Sequence, residues 1–400
     1  MKPVLAFRRT PGNYNSLPSL VGALERAGLD SRIELRLAGS PAEVRGPDAV
    51  LAYSFTTPAL GQVAEELSGL KGRAERPVLI AGGAHPSADP EGCAALGFDL
   101  VVVGEGECAL VDFVRDWLSA GTPQRPQIRR GAAQDLDSSL HVAERAGLFP
   151  FVEISRGCDR QCAFCQTPPL FGRMRHRSPE TVAAGVRVAV RAGKRRFRFL
   201  SPDAFAYGGA GAGARLDALG ELLERCRAAG ARQLMLGSFP SEVRPDSVEP
   251  ALLELVRARC DNRSVVVGAQ AGSDALLGRM RRGHTAALAR RAVELCLEAG
   301  LNPLVDVLFG FPSETPDERA STLDLVRWVL SHRRAAVHAH YYIPLPGTRA
   351  WPDAPAPLEP KLRAALAGLQ ANDRLEGDWQ EQIALGRQIL DWRERGLIRV

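Results

Sequence analysis

Cys158-Asp159-Arg160-Gln161-Cys162-Ala163-Phe164-Cys165 places three cysteines within eight residues, directly after a strand-like run, Phe151-Val152-Glu153-Ile154-Ser155. Thiolates are soft, tightly binding ligands, and three on one short loop can grip a single metal centre. A closed structural site takes four protein ligands, for zinc or for an iron–sulfur cluster, so three leave one metal position open for chemistry. The alternatives are a zinc knuckle completed by a distant ligand, or three core cysteines that happen to be neighbours. The first Cys or His beyond Cys165 is His176, which favours an open cluster over a closed zinc site.

Downstream of this loop, apolar strand patterns at Arg195–Leu200, Gln233–Gly237, Ser264–Gln270, Pro303–Phe309 and Val337–Ile343 alternate with helical segments. The helices carry start and stop signals: Ser178-Pro179-Glu180 opens one that Gly193 ends, Thr285 opens one that Gly300 closes, and Thr315-Pro316-Asp317-Glu318 opens a third. With Phe151–Ser155 this makes six β/α units, which predicts a whole or partial parallel barrel whose site lies at the carboxyl ends of its strands. Upstream, strands at Val4–Phe7, Ile33–Leu37, Ala49–Phe55, Val78–Ala81 and Leu100–Val103 alternate with helices at Pro18–Ala27, Pro58–Leu70 and Glu107–Ser119. Buried β-runs separated by helices predict a doubly wound parallel sheet that binds ligands at its strand ends. The expected fold class is therefore α/β throughout, followed by a small helical tail.

The loop Cys-x3-Cys-x-aromatic-Cys, with Phe164 as the aromatic, resembles the signature of the radical S-adenosylmethionine (SAM) superfamily. Later strand ends extend the likeness: Gly268-Ala269-Gln270-Ala271-Gly272, Arg281-Arg282-Gly283-His284-Thr285, Asp306-Val307-Leu308-Phe309-Gly310-Phe311-Pro312-Ser313-Glu314-Thr315 and Tyr342-Ile343-Pro344-Leu345-Pro346-Gly347-Thr348. The resemblance implies a [4Fe–4S] cluster on Cys158, Cys162 and Cys165 with SAM on the fourth iron, and reductive cleavage of SAM to a 5′-deoxyadenosyl radical. It also implies an electron donor such as flavodoxin or ferredoxin. Carried over by position, Gln270, Arg282 and Asp306 would hold the ribose and carboxylate of SAM, chemistry that suits an amide, a guanidinium and a carboxylate. Asp203 is a further SAM-contact candidate, and Ser238 and Glu242 are weaker ones. Read without the family, Gln270 is a strand-end cap, Arg282 a solvated charge and Asp306 half of a salt bridge.

Ala81-Gly82-Gly83-Ala84-His85-Pro86, Val101-Val102-Val103-Gly104-Glu105-Gly106-Glu107 and Ser54-Phe55-Thr56-Thr57 resemble the cobalamin-binding domains fused to many radical SAM enzymes. That likeness makes Ser54, Thr56, Gly82, Gly83, His85, Gly104 and Glu105 the expected cobalamin contacts. The Asp-x-His-x-x-Gly motif of proteins that ligate cobalt is missing: Arg8-Arg9-Thr10-Pro11-Gly12-Asn13-Tyr14-Asn15 holds no histidine. The expected organisation is a cobalamin-binding-like domain over 1–120 and a linker over 121–147. A partial (β/α)6 radical SAM barrel follows over 148–350, then a helical C-terminal extension over 351–400 with helices near Pro360–Leu375 and Asp378–Arg395. Asp135-Leu136-Asp137-Ser138 resembles the segment that precedes the barrel in the same fused family.

The implied activity is C-methylation of a small-molecule or peptide substrate, methylcobalamin delivering the methyl group and a second SAM restoring it. Rearrangement or cyclisation, methylthio transfer, and a non-catalytic iron–sulfur or corrinoid sensor are the rivals. Methylthiotransferases carry a second cluster on three N-terminal cysteines, whereas only Cys93 and Cys108 precede Cys158 here. The totals agree with a globular enzyme: 400 residues, 45% hydrophobic and 24% charged. No run reaches the roughly 20 apolar residues of a membrane span, and the start carries no leader pattern, so a cytoplasmic location is expected. A net charge of +5 does not identify a nucleic-acid partner. Lysine occurs only at Lys2, Lys71, Lys194 and Lys361; the remaining positive charge is arginine, a chain-wide bias that lowers the weight of local clusters such as Arg173, Arg175 and Arg177, read as a solvated face. Cys93, Cys108, Cys226, Cys260 and Cys296 lack ligand spacing and read as small buried hydrophobes. The glycines from Gly208 to Gly213 read as a flexible loop, because no phosphate-binding Lys-Ser/Thr follows.

Overall fold

The computed structural model describes residues 2–72, 75–121, 126–209, 212–371 and 374–400. Parts of the expected linker (122–125) and of the glycine-rich loop (210–211) lie outside the described residues. The chain forms two compact units, Met1–Pro150 with Pro169–Gly172 and Asp391–Val400, and Phe151–Pro168 with Arg173–Leu390.

The first unit is built on six strands: β1 (Val4–Arg8), β2 (Glu34–Ala38), β3 (Val50–Ser54), β4 (Val78–Gly82), β5 (Leu100–Val103) and β6 (Gln127–Arg130). All pair in parallel, in the order β2-β1-β3-β4-β5-β6. On one face, Leu5, Phe7, Val50, Ala52, Val78, Ile80, Leu100 and Val102 pack with Leu17, Val21 and Leu24 of helix Ser16–Arg26, and with Leu110, Phe113, Val114 and Trp117 of helix Glu107–Ala120. The alternate residues Leu51, Tyr53, Leu79, Ala81 and Val101 are buried too, so both faces are covered, as a parallel sheet requires. The strand order reverses between β1 and β3, and such a switch point opens a crevice at the carboxyl ends of the strands. The sixth strand falls in the segment read as linker. Gln127-Ile128-Arg129-Arg130 has a single apolar side chain, and that one is exposed; an edge strand formed by backbone pairing leaves little hydrophobic pattern to read. The last ten residues also belong to this unit: Trp392 lies against Gly61, where a Cβ would come within 2.8 Å of the indole.

In the second unit, β7 (Val152–Glu153), β8 (Ser155–Arg156), β9 (Arg175–His176), β10 (Arg196–Leu200), β11 (Gln233–Met235), β12 (Ser264–Gln270), β13 (Asn302–Phe309), β14 (Ala336–Tyr341) and β15 (Leu375–Glu376) follow in chain order. Parallel sheets run β11-β10-β7 and β12-β13-β14-β15. A parallel bridge between Val243 and Val267, with Val266 N–H donating to Gly237 O at 2.8 Å, joins them. The result is a six-stranded partial barrel, β7-β10-β11-β12-β13-β14, extended at one edge by β15. Val305, Val307, Phe309, Val337, Ala339 and Tyr341 point outward into a core shared with helices Ala286–Glu298, Pro316–Ser331 and Pro360–Gln370. Alternation along the strands therefore turns Asp306, His338 and His340 to the opposite, inner face. The helix starts read from sequence are capped: Ser178 accepts from Thr181 N–H, Thr285 from Leu288 N–H, and Thr315 with Glu318 forms a capping box. The tail differs from expectation in one respect. Its first helix stops at Gln370, and Leu375–Glu376 pairs with β14 as a strand.

Candidate functional site

The cysteine loop leaves β8 and returns to β9, and these two strands pair antiparallel, Ser155 opposite His176 and Arg156 opposite Arg175. The loop is therefore closed at its base. Further in, Ala163 N–H donates to Met280 O at 2.9 Å and Ala350 N–H to Ala163 O at 2.8 Å, tying the loop to segments after β12 and β14. Cys162 is buried, Cys158 and Cys165 half-buried, and burial pushes the Cys158 and Cys165 thiols above their ordinary range. Three free thiols on one short loop, one of them facing a buried guanidinium, are a donor set that fits an iron–sulfur cluster with one open position.

Among the strand-end residues, Arg282 meets one of these thiols. Arg282 is buried rather than solvated: Nη1 lies 3.4 Å from Cys162 Sγ, Nη2 donates to Gly268 O at 2.6 Å, and its guanidinium sits 5.9 Å from the Phe164 ring centroid. Gly268 is a glycine for a reason here, since a Cβ would meet Glu242 Oε2 at 2.7 Å and Arg282 Nη2 at 3.1 Å. Among the described residues, three non-glycines adopt left-handed φ, Gln270 (69°), Arg281 (55°) and Ser313 (62°). Each falls inside one of the strand-end motifs, and such backbone costs of order 1–3 kcal/mol per residue, which a framework must hold in place. At Gln270 it accompanies a bulge in β12 and aims the buried side chain away from the regular strand direction.

Asp306 is buried on β13. His338 Nδ1 lies 3.3 Å and His340 Nε2 3.9 Å from its Oδ1, yet that oxygen accepts no well-formed hydrogen bond. The Asp306 carboxylate raises the His338 pKa, while burial lowers that of His340. Ser238 Oγ is likewise buried with no hydrogen-bond partner among the described residues. Unspent polar atoms of this kind suit a polar ligand, because burying them unpaired is costly. Asp203 is different. Ser247 Oγ donates to Oδ2 at 2.5 Å and Arg244 N–H to Oδ1 at 3.4 Å, so both oxygens tie the loops after β10 and β11 together. Glu242 stands among these groups; burial, opposed by Arg282 and reinforced by Asp306 and Asp203, pushes it up to about 7.

Sequence reading missed Arg244 and the His338–His340 pair. It also misread Arg177: Arg173 is 94% exposed, but the Arg177 side chain is 2% exposed and pairs with Glu153 at 2.7 Å. Of the remaining cysteines, Cys93, Cys226 and Cys296 are buried as expected, Cys260 is half-buried, and Cys108 is exposed with its thiol 3.0 Å from Gln134 Oε1.

In the first unit the expected contacts follow the carboxyl ends of β3, β4 and β5. Ser54 Oγ, at the end of β3, lies 2.9 Å from Ser16 Oγ. Thr56 is exposed. Gly82 ends β4, and Gly83 has φ 100° with the space of its missing Cβ filled by Phe55 O and N at 2.8 and 2.9 Å. Gly104 N–H donates to Ser87 Oγ at 2.9 Å, and Glu105 is buried, accepting from Gln134 N–H at 3.1 Å. His85 is turned inward: it is fully buried, its Nδ1 3.1 Å from Thr57 Oγ1 and its ring 5.5 Å from that of Phe55, and burial lowers its pKa to about 4. Its side chain braces the loops after β3 and β4.

Residues 152–326 match the model of the radical SAM superfamily, and residues 40–114 that of the B12 binding domain. The chain is 32% identical over 275 residues to a tRNA-2-methylthio-N(6)-dimethylallyladenosine synthase of Mycobacterium bovis, covering 67% of this chain and 50% of that protein. A protein of the same name from Desulfosudis oleivorans is 30% identical over 268 residues, covering 63% and 55%. The chain thus spans about half the length of the curated relatives it matches. Among solved structures it resembles the radical SAM methyltransferase TsrM from Kitasatospora setae with cobalamin and a [4Fe–4S] cluster bound, with a TM-score of 0.65 at 16% identity over 88% of this chain and 74% of that one. It also resembles the cobalamin-dependent radical enzyme OxsB with aqua-cobalamin and SAM bound, with a TM-score of 0.60 at 15% identity over 96% and 56%. At such identities these likenesses establish the fold.

Proposed function

We propose that this chain, which joins a B12-binding domain to a radical SAM domain, is a cobalamin-dependent radical SAM enzyme that methylates carbon on a small-molecule or peptide substrate. The carrying observation is the meeting of Arg282 with Cys162 in a barrel whose three-thiol loop leaves one metal position unfilled. When bound, the cluster and SAM supply a 5′-deoxyadenosyl radical able to take hydrogen from an unactivated carbon, and cobalamin supplies a methyl carrier.

The residues divide the remaining work. Cys158, Cys162 and Cys165 hold the cluster. Arg282 places a buried positive charge beside Cys162 to meet the SAM carboxylate. Gln270 and Asp306 face the ribose hydroxyls, and Ser238 offers a further hydroxyl. Asp203 positions the loops and does not bind ligand directly. In the first unit, backbone at Gly82, Gly83 and Gly104 gives cobalamin a close approach, with Ser54 and Thr56 as polar neighbours. An electron donor such as flavodoxin or ferredoxin would feed the cluster.

Methylthio transfer is the second reading, favoured by the identity to the methylthio synthases. The first unit argues against it: Cys93 and Cys108 are its only cysteines, one buried and the other exposed. The test is anaerobic reconstitution with iron, sulfide and hydroxocobalamin, followed by SAM and reductant. Retained cobalamin with 5′-deoxyadenosine and S-adenosylhomocysteine as products supports the proposal. A protein that forms 5′-deoxyadenosine but never retains cobalamin would keep the radical chemistry and lose the methylation.

A further inference from the structure

Arg244, on the loop after β11, has a partner for each of its three nitrogens. Nε donates to Asp246 Oδ1 at 3.0 Å, Nη2 donates to the Arg282 carbonyl, and Nη1 lies 3.9 Å from Cys162 Sγ. The side chain is 3% exposed. Asp246 uses its second oxygen on Arg160, at 2.8 Å, and Arg160 belongs to the cysteine loop itself. Gly283 completes the arrangement; the place of its missing Cβ lies 3.8 Å from Arg160 Nη1 and 3.9 Å from Arg244 Nη2. Cys162 therefore faces two guanidiniums, Arg282 at 3.4 Å and Arg244 at 3.9 Å, and one carboxylate stands behind the second.

Asp246 and the Arg282 carbonyl hold the Arg244 guanidinium in place against Cys162. What it delivers is charge and position. The reduction potential of an iron–sulfur centre follows the net charge and hydrogen bonding around its sulfurs. A fixed positive charge favours the reduced, more negative state, and a charge this close acts strongly in a protein interior. We propose that Arg244 is a positioning residue that raises the reduction potential of the cluster through Cys162, with Asp246 setting the size of the effect and latching the cysteine loop through Arg160. The inference rests on the cluster reading above and adds to it a control on electron entry.

Electrostatics and structural damage predict different signs, so the test uses a pair of variants. The wild-type protein, Arg244→Met, Arg244→Lys and Asp246→Asn are reconstituted with cluster, and the reduced signal is followed by electron paramagnetic resonance at set potentials. Arg244→Met should lower the reduced-to-oxidised ratio at a fixed potential by about tenfold, a shift of about 59 mV for a one-electron couple. Asp246→Asn should move the ratio the other way, and Arg244→Lys should stay near wild type. Ratios within twofold of wild type for both Arg244→Met and Asp246→Asn, or shifted in the same direction, would overturn the proposal. If Arg244→Met does not hold a cluster, the opposite shift of Asp246→Asn still decides it. Iron and sulfide far below about four of each per wild-type chain would instead overturn the cluster reading itself.

Discussion

Arg282 meets two demands that rarely coincide: it is buried, and it faces a thiol that a metal would claim. Its Nη1 faces the Cys162 sulfur, while Gly268 O, His284 Nε2 and the Phe164 ring surround the rest of the guanidinium and the Glu242 carboxylate acts on it from nearby. Arg282→Met should weaken SAM binding to the cluster-loaded protein by 10- to 100-fold, the value of a charge-assisted contact of about 1.5–3 kcal/mol, while iron content stays unchanged. Equilibrium dialysis with labelled SAM measures the first half of that statement and iron analysis the second. At this scale the sequence spoke most clearly through residue type and spacing, as in the three-cysteine loop and the later motif whose Arg282 lies against Cys162. It was least legible for arginine. In a chain where nearly all positive charge is Arg, Arg244 and Arg177 look like any other surface guanidinium, and only burial separates them from Arg173. The histidines at 338 and 340 were hidden differently: two polar residues at i and i+2 read as a strand's wet face, and here that face lines the inside of a barrel.

The elements are held by devices that can be perturbed one at a time. Glu153 on β7 takes Arg156 at 2.8 Å and Arg177 at 2.7 Å, joining the first barrel strand to the base of the cysteine loop. Burial alone would raise this carboxyl, but the two arginines overcome it and hold Glu153 at about 2. A carboxyl lowered on folding stabilises the fold above its unfolded value, and that contribution fades as pH falls from about 4.5 toward 2; the full term is of order 3 kcal/mol. Glu153→Gln should therefore destabilise the cluster-free chain by about 3–5 kcal/mol at pH 7, with the deficit shrinking below pH 4.5. Urea unfolding across that range reads it directly, and a pH-independent deficit would show that packing rather than charge is responsible. In the first unit, Gly83→Ala places a Cβ against Phe55 backbone at a φ that disfavours it. A loss of about 1–3 kcal/mol together with poorer cobalamin retention is expected, measured by thermal melts and by bound corrinoid after gel filtration. Strand periodicity found five of the six strands of that sheet. The sixth escaped because an edge strand paired by its backbone needs no apolar alternation.

For the whole molecule, two parallel α/β units were readable because a sheet buried on both faces writes long apolar runs separated by capped helices. Neither the substrate nor the role of the His338–His340 pair is written that way, since side chains lining an enclosed face obey ligand chemistry and not a folding period. Among the described residues no helix is long and apolar enough to cross a membrane. The account stands on one arrangement, a cluster held by Cys158, Cys162 and Cys165 with SAM at its open position. Electron paramagnetic resonance of the reduced, reconstituted protein before and after adding SAM tests this without a substrate. The account predicts a four-iron cluster signal that changes shape when SAM binds, and that is absent in Cys162→Ala. A signal indifferent to SAM, or one that survives in Cys162→Ala, would contradict it.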